Sequence, residues 1–118
     1  MKNKIMNREI ALYPIYAITK QGNIIPCYNI KSTNDYDHSK YHIHHYVEFN
    51  AYSGNEEWYK SRGIEQKLIF MSIPLHEQLH FIAIHNMTDE EFEKHYKISR
   101  WKLIYNRKHS EKESEEKL

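Results

Sequence analysis

Two clusters of histidine supply the side chains of this sequence that are best suited to chemistry. The first spans residues 42–45 and reads H-I-H-H, and the second, about thirty residues later, contains His76 and His80. Imidazole is a common metal ligand, and it is also a base whose ordinary pKa lies close to neutral pH. Residues four apart lie on one face of a helix, so His76 and His80 can hold one metal ion together. The pattern therefore predicts a metal site built from histidine.

The second cluster reads H-E-Q-L-H over residues 76–80, the H-E-x-x-H pattern of zinc proteases, in which the glutamate is the general base. Pro74 lies two residues before His76, and proline is tolerated at the start of a helix but not inside one. The helix therefore begins at the motif, whereas a protease carries the motif inside a longer helix. The extended protease pattern also requires glycine at 83 and histidine at 86, where this chain has Ala83 and Asn86. A zinc protease is thus the third hypothesis, behind two others that the first cluster raises.

The composition restricts the class of protein. A chain of 118 residues, 40% hydrophobic and 28% charged, suits one small domain with a modest core. Its apolar runs are too short to span a bilayer and no signal peptide follows the first residues, so we expect a cytoplasmic protein without a membrane partner. The single cysteine, Cys27, excludes an internal disulfide and a four-cysteine zinc site. Any bound metal therefore depends on histidine and carboxylate ligands.

The outer parts of the chain are predicted to frame the histidines. Residues 9–30 are rich in strand formers on both sides of a turn at 21–23, which predicts an N-terminal β-hairpin. Residues 88–106 read as two further helices, the first opened by a capping box. Residues 110–118 have almost no apolar content, which predicts a disordered acidic tail. We therefore expect a single small domain over residues 1–109.

The central part of the chain, residues 41–86, is predicted to carry both histidine clusters. It begins with an extended segment, continues through a turn and a short helix over 55–62, and reaches a buried strand over 67–73. The helix that follows is expected to start at Pro74 and to end near His85 and Asn86. The two clusters thus lie on a strand and on the helix that comes after the next strand.

This order of parts resembles the HNH, or His-Me finger, nuclease family. The resemblance rests on the pair His44-His45, the segment 63–76 and His80, which together span about 40 of the 118 residues. In that family a ββα unit holds one divalent metal ion. The resemblance implies an α+β fold with an N-terminal β-hairpin, a ββα-metal core and a C-terminal helical segment.

The resemblance also implies a role for each histidine. His44, His76 and His80 would be the metal ligands, and His45 would be the general base that activates water for attack on a phosphodiester. The metal would be Mg²⁺, Mn²⁺ or Zn²⁺, and the function would be that of a DNA endonuclease. A neutral imidazole suits proton abstraction at neutral pH. His44 and His45 point to opposite faces of an extended strand, so we expect a bulge or turn that brings both to one site.

One position departs from the family pattern. The residue nine positions before His76 is usually an asparagine that holds the loop carrying the base, but here it is Lys67. Gln66 could replace the asparagine only with a shift of one residue, which moves it to the other face of the strand. Asn50 and Asn55 are further candidates from the loop. The departure raises a second hypothesis, in which an inactive His-Me finger protein binds nucleic acid or inhibits a host protein.

The C-terminal stretch, residues 90–107, looks like a small helix-turn-helix, similar to segments that follow the HNH unit in some phage-encoded proteins. Its second helix would direct Arg100, Lys102 and Arg107 toward the phosphates of DNA, the expected partner. The alternative is that the apolar residues of this stretch cover the helix of the metal site.

The other histidines are individually expected to be surface or packing residues. Among them, His42 has the best claim to the metal site, because it shares a strand face with His44.

Overall fold

One mixed sheet holds four strands in the computed structural model, which describes residues 7–109. The strands are β1 (Ile15–Ile18), β2 (Ile24–Pro26), β3 (Tyr41–His45) and β4 (Leu68–Ser72). Their order across the sheet is β2-β1-β4-β3. The pairs β1–β2 and β3–β4 are antiparallel, whereas the central pair β1–β4 is parallel. The parallel pair joins the predicted hairpin to the predicted central part of the chain.

Short helices lie around this sheet, and the fold is therefore of the α+β class. The helices are α1 (Asn7–Leu12), α2 (Phe49–Tyr52), α3 (Glu56–Lys60), α4 (Ile73–Leu79) and α5 (Asp89–Tyr96). Single turns of 3₁₀ helix occur at Thr33–Asp35 and Arg100–Lys102. Across the described residues, no helix has the length and apolar character needed to cross a membrane.

The N-terminal hairpin forms with the predicted turn. β1 and β2 pair from Tyr16 with Pro26 to Ile18 with Ile24. Gly22 in the turn has a φ of 83°, a backbone conformation that residues with a side chain rarely adopt. A Cβ at this position would also overlap the carbonyl oxygen of Lys97. Residues 9–12, at the start of the segment predicted as hairpin, are helical instead and belong to α1.

β3, β4 and α4 follow one another in the pattern predicted for the histidine-bearing part. The β3–β4 register is continuous from Tyr41 opposite Ser72 to His45 opposite Leu68. β4 passes directly into α4, where the Ser72 hydroxyl accepts a hydrogen bond from the Leu75 N–H at 3.4 Å. α4 begins at Ile73, so Pro74 lies in the first turn of the helix, where proline is favoured.

The prediction that α4 continues to residues 85–86 is wrong. The helix ends at Leu79, and Phe81 adopts a left-handed conformation with a φ of 57°. The buried Gln78 side chain stabilises the returning chain, because its amide donates to the His85 carbonyl at 2.8 Å and accepts from the Met87 N–H at 2.8 Å. The segment 80–87 therefore folds back beside α4 instead of extending it.

Two apolar clusters lie on opposite faces of the β3–β4 pair, as the alternation of strand residues requires. The first packs α4, α5 and the C-terminal turn on one face, and its buried members are Ile69, Met71, Leu75, Leu79, Phe92, Ile98 and Leu103. The second packs α1 on the other face, and its buried members are Ile10, Ile30, Ile43 and Leu68. Each fully buried apolar side chain contributes about 1.5–3 kcal/mol. The sheet thus has two covered faces, and neighbouring residues of β3 enter different surroundings.

The C-terminal stretch differs from the predicted helix-turn-helix. The capping box of α5 is confirmed, since the Thr88 hydroxyl accepts from the Glu91 N–H and the Glu91 carboxylate accepts from the Thr88 N–H. The second predicted helix is a single 3₁₀ turn, Arg100–Lys102, which is too short to act as a recognition helix. The tail predicted to be disordered, residues 110–118, lies outside the described residues.

Candidate metal centre

Three histidines from two elements converge on the face of the sheet that α4 covers. His44 of β3 and His76 of α4 meet His80, the residue that follows the last turn of α4, and each offers a ring nitrogen within 4.8 Å of the others. Their ring centroids are 4.8–5.1 Å apart. His44 is 2% exposed, His76 is half-buried and His80 is exposed. The three predicted ligands therefore form one group, which opens to solvent at His80.

The hydrogen bonds of His44 determine which of its nitrogens faces the group. Nε2 lies 2.9 Å from the carbonyl oxygen of Leu103, which only accepts hydrogen bonds, so Nε2 carries the proton. The lone pair is then on Nδ1, which lies 3.2 Å from Nε2 of His80. A metal-binding histidine usually donates its other N–H to a carbonyl or carboxylate in this way. His44 thus presents an unprotonated nitrogen to the centre of the group.

Burial keeps the histidines of the group neutral. Desolvation lowers the pKa of His44 well below its ordinary value, and the neighbouring His76 and His80 act in the same direction. Desolvation, with the nearby histidines, lowers the pKa of His76 to about 3. The ring of His80, on the open side of the group, is partly desolvated by its neighbours, which lowers its pKa against the opposing effect of the Glu48 carboxylate. A metal ion binds only the neutral form of imidazole, so these rings are ready to bind without first losing a proton.

The chemistry of this donor set fits a metal ion. Three neutral imidazoles are typical ligands of zinc and other first-row transition metals, and three protein ligands leave further positions open for water or substrate. The exposed side of the group, at His80, gives an ion a way in. The residues present are therefore sufficient to hold one metal ion.

His45, the predicted general base, lies on the other face of the sheet. The register of β3 and β4 continues without a bulge through His45, so the predicted bulge or turn that would bring it beside His44 is absent from this strand. Its Nε2 lies 3.3 Å from Oε2 of Glu9 in α1, within ion-pair distance but not in hydrogen-bond alignment. Its ring also packs 5.5 Å from that of Phe49. His45 is nevertheless the last residue of β3, and its side chain is 17% exposed.

Gln66 is the amide that holds the loop after His45. It is 3% exposed, its oxygen accepts from the Val47 N–H at 2.8 Å, and its nitrogen donates to the Val47 carbonyl at 2.7 Å. Asn50 is exposed, and the hydrogen bond there comes from its backbone N–H to Glu48. Asn55 donates from its side-chain amide to the Ala51 carbonyl at 3.1 Å. Of the three amides considered from the sequence, Gln66 therefore makes the contact with Val47.

Lys67 does not hold the loop with its side chain. Its Nζ lies 4.4 Å from the ring centre of Tyr46 and 5.7 Å from that of Tyr16. It borders a cavity of about 300 Å³ that is also lined by Tyr105. Among the described residues, the ion pairs found do not include Lys67. The Lys67 ammonium group therefore lies beside the cavity, next to the tyrosine rings that help to line it.

The three C-terminal cations have different environments, and the expectation for Arg100 is wrong. Arg100 is 1% exposed, forms an ion pair with Asp89, and donates to the Met87 carbonyl at 3.0 Å. It supports the interior of the protein and cannot contact DNA in this conformation. Lys102 and Arg107 are exposed, and the Arg107 guanidinium stacks 4.0 Å from the ring centre of Trp58.

Two residues that contact these histidines stand outside the predicted ligands and base. His42 is 8% exposed, and its Nδ1 lies 2.9 Å from Nδ1 of His76. The two-residue period of a strand indicated that His42 shares a face with His44, and that signal was sufficient to find it. Glu9 contacts His45 across more than thirty residues of sequence, and no local pattern points to that pairing.

Comparison with known proteins assigns the chain to no family. No protein-family model matches it, and neither a curated protein nor a solved structure matches it significantly. The proposals below therefore rest on the geometry of the described residues.

Proposed function

We propose that this protein is a metal-dependent endonuclease of the His-Me finger type, which hydrolyses phosphodiester bonds of DNA. The observation that carries the proposal is the convergence of His44 on β3 with His76 and His80 on and just after α4. In the proposal, β3, β4 and α4 are the ββα unit, because α4 follows the antiparallel pair directly.

The proposed ligands are His44, His76 and His80, and the proposed metal is Zn²⁺ or another first-row transition ion such as Mn²⁺. Mg²⁺ prefers oxygen ligands in octahedral geometry and gives up water reluctantly, so an all-imidazole group disfavours it. When bound, the ion would supply positive charge to the phosphodiester and to the leaving oxygen. The protein contributes three neutral rings whose nitrogens already lie within 4.8 Å of one another.

His45 is the proposed general base, and Glu9 is proposed to support it. A carboxylate only accepts hydrogen bonds, so Glu9 beside Nε2 favours the tautomer that has its proton on that nitrogen. Nδ1 of His45 is then the nitrogen proposed to take a proton from water. His45 lies at the end of β3, so a phosphodiester would have to cross that end to meet both faces of the strand.

Three exposed or partly exposed cations are proposed to contact the phosphates of DNA. They are Lys67 beside the cavity, together with Lys102 and Arg107 in the C-terminal segment. Phosphate contacts of this kind position a nucleic acid without reading its sequence.

A second candidate function is a metal-containing binding module without hydrolytic activity. The position of His45, on the sheet face opposite the three ligands, favours this candidate. Such a protein would bind nucleic acid or a host protein through a surface that the metal centre stabilises. A zinc protease is disfavoured, because α4 begins only three residues before His76 and the third histidine of the group comes from β3.

A plasmid-nicking assay tests the proposal. Metal-free protein is supplied in turn with Zn²⁺, Mn²⁺, Co²⁺ and Mg²⁺ and incubated with supercoiled plasmid, alongside His45→Ala, His80→Ala and His95→Ala. His95 lies exposed on α5, so its variant is a matched control for the substitution itself. The metal content of every variant is measured by mass spectrometry.

We expect His45→Ala to retain its metal but to lose nicking by about 10²–10⁴-fold, the usual contribution of a general base. His80→Ala should lose both metal and nicking, and His95→Ala should lose neither. Absence of nicking with all four metals, or nicking that His45→Ala leaves unchanged, contradicts the proposal. Metal-loaded protein that retards DNA in a gel without cutting it supports the second candidate.

A further inference from the structure

A fourth histidine, His42, lies against the metal centre without belonging to the group of possible ligands. It is 8% exposed, and its ring meets that of His76 edge-on, with centroids 5.1 Å apart. The contact joins the two Nδ1 atoms at 2.9 Å. The ring nitrogens that come within 4.8 Å of one another belong to His44, His76 and His80. The position of His42 is therefore beside one ligand rather than inside the ligand group.

The contact between two neutral imidazoles has a direction. The two Nδ1 atoms lie 2.9 Å apart and share one proton, so one Nδ1 donates while the other accepts. If His42 donated, Nε2 of His76 would carry the other proton and neither nitrogen of His76 would be free for a metal. If His76 donates, its Nε2 keeps a lone pair. Only the second arrangement leaves His76 able to bind while the contact with His42 persists.

We propose that His42 is a positioning residue for the metal centre, because its Nδ1 accepts the hydrogen bond from Nδ1–H of His76 and so holds His76 as the tautomer that binds metal through Nε2. The Leu103 carbonyl does the same for His44 at 2.9 Å, with the nitrogens exchanged. Two of the three ligands therefore have a buried acceptor that sets their tautomer. Acceptors of this kind typically change metal affinity by 10–100-fold. The proposal rests on the metal centre of the proposed function and not on nuclease activity.

Metal binding and ring tautomers are measured on the wild type, His42→Ala, His42→Asn and the His95→Ala control. The asparagine variant keeps an acceptor, since Oδ1 of asparagine falls near the position of Nδ1 in histidine. Zn²⁺ affinity comes from competition with a chromophoric chelator, and the visible spectrum of Co²⁺-loaded protein reports the number of ligands. Long-range ¹H–¹⁵N NMR spectra of the metal-free proteins show which ring nitrogen of His76 carries the proton.

We expect His42→Ala to bind Zn²⁺ 10–100-fold more weakly with an unchanged Co²⁺ spectrum, and His42→Asn to recover most of that loss. In the wild type the proton of His76 should be on Nδ1, and His42→Ala should reduce the population of that tautomer. A purely structural role for His42 would not change the tautomer.

Several results would overturn the inference while leaving the metal centre in place. They are a His76 proton on Nε2 in the wild type, unchanged Zn²⁺ affinity in His42→Ala, or a Co²⁺ spectrum that changes in His42→Ala as it does in His80→Ala, which would make His42 a ligand. If His42→Ala does not fold, the wild-type tautomer and the asparagine variant still decide. Failure of the wild type to bind any of the metals would instead overturn the metal centre and this inference together.

Discussion

The two faces of β3 give adjacent histidines different chemistry. His44 points toward α4, where it is 2% exposed, bonds to a backbone carbonyl and meets two other imidazoles. His45 points toward α1, where its ring meets the carboxylate of Glu9 and the ring of Phe49. On the α4 face, three neutral imidazoles lie close enough together to hold one metal ion. On the α1 face, the Glu9 carboxylate lies beside the single imidazole of His45.

The difference shows that residue type alone does not determine what a histidine can do. Buried imidazoles that contact one another have lowered pKa values and stay neutral, which is the form that a metal ion binds. His45 instead lies alone beside a carboxylate, with its Nε2 3.3 Å from Oε2 of Glu9. The following predictions test this contrast, from the largest expected effect to the smallest.

Removal of a ligand should affect metal binding far more than removal of His45. We expect His80→Ala to weaken Zn²⁺ binding by about 10³-fold or more, beyond the 10–100-fold typical of outer-shell residues, because a donor atom is lost. His45→Ala should change the affinity by less than about 3-fold, since its ring lies on the opposite face. Isothermal titration calorimetry or chelator competition measures both. Similar losses in the two variants would mean that the faces do not act separately.

Acid should destabilise the metal-free protein through the ligand face. The folded-state pKa values of His44 and His76 lie below the ordinary value of 6.5, so the unfolded chain binds more protons below that pH. Their stabilisation is complete above about pH 6.5 and is lost as the pH falls below it, for His76 down to about 3. The slope should approach about 1.4 kcal/mol per pH unit for each of these histidines.

Urea unfolding in the presence of a chelator, between pH 4.5 and 7.5, measures this slope. The variant His76→Gln keeps a polar side chain of similar size but cannot titrate. The dependence of its unfolding free energy on pH should therefore lack the contribution of His76. A wild-type unfolding free energy that does not change across this range would contradict neutral burial of the group.

The loop that follows His45 should depend on Gln66 and not on Asn50. Gln66→Ala leaves the N–H and the carbonyl of the buried Val47 without their partners, which should cost about 1–3 kcal/mol of unfolding free energy. Asn50→Ala removes an exposed side chain and should change the stability by less than about 0.5 kcal/mol. Urea unfolding compares the two amides directly. Equal losses would show that Gln66 does not hold the loop in solution.

The smallest effect expected is that of Glu9→Gln on the proposed base. The substitution removes the negative charge beside Nε2 of His45 and keeps the size of the side chain. We expect plasmid nicking to fall by about 10-fold, less than the loss on removing a general base, with Zn²⁺ affinity within about 2-fold. A fall in Zn²⁺ affinity as large as the fall in nicking would couple the two faces of β3 and contradict their separation.

Much of the local structure could be predicted from the sequence. The N-terminal hairpin, the strand before α4 and the cap of α5 follow from patterns within a few residues, whereas the proposed ligand set came from the resemblance to the His-Me finger family. Examples are the four-residue spacing of His76 and His80 and the capping box of Thr88 and Glu91. These patterns work because strand and helix periods fix which neighbouring side chains share a face.

Contacts between distant segments were not predictable in this way. The early end of α4 depends on Gln78 reaching the chain seven and nine residues later. The burial of Arg100 depends on Asp89 and the Met87 carbonyl, which compensate its charge away from water. The residues next to Arg100 in the sequence give no sign of this burial, so Arg100 was expected to be an exposed cation.

The sequence by itself determined that His42 and His44 share one strand face and that His76 and His80 share one helix face, because strand residues alternate and a helix repeats every 3.6 residues. Only the tertiary structure decided which surroundings each of these histidines enters. The parallel pairing of β1 with β4 and the packing of α1 on the second face bring Glu9 to His45. The contact between Glu9 and His45 depends on the burial of apolar surface between segments that are far apart in the chain. Such burial leaves no periodic pattern in the sequence.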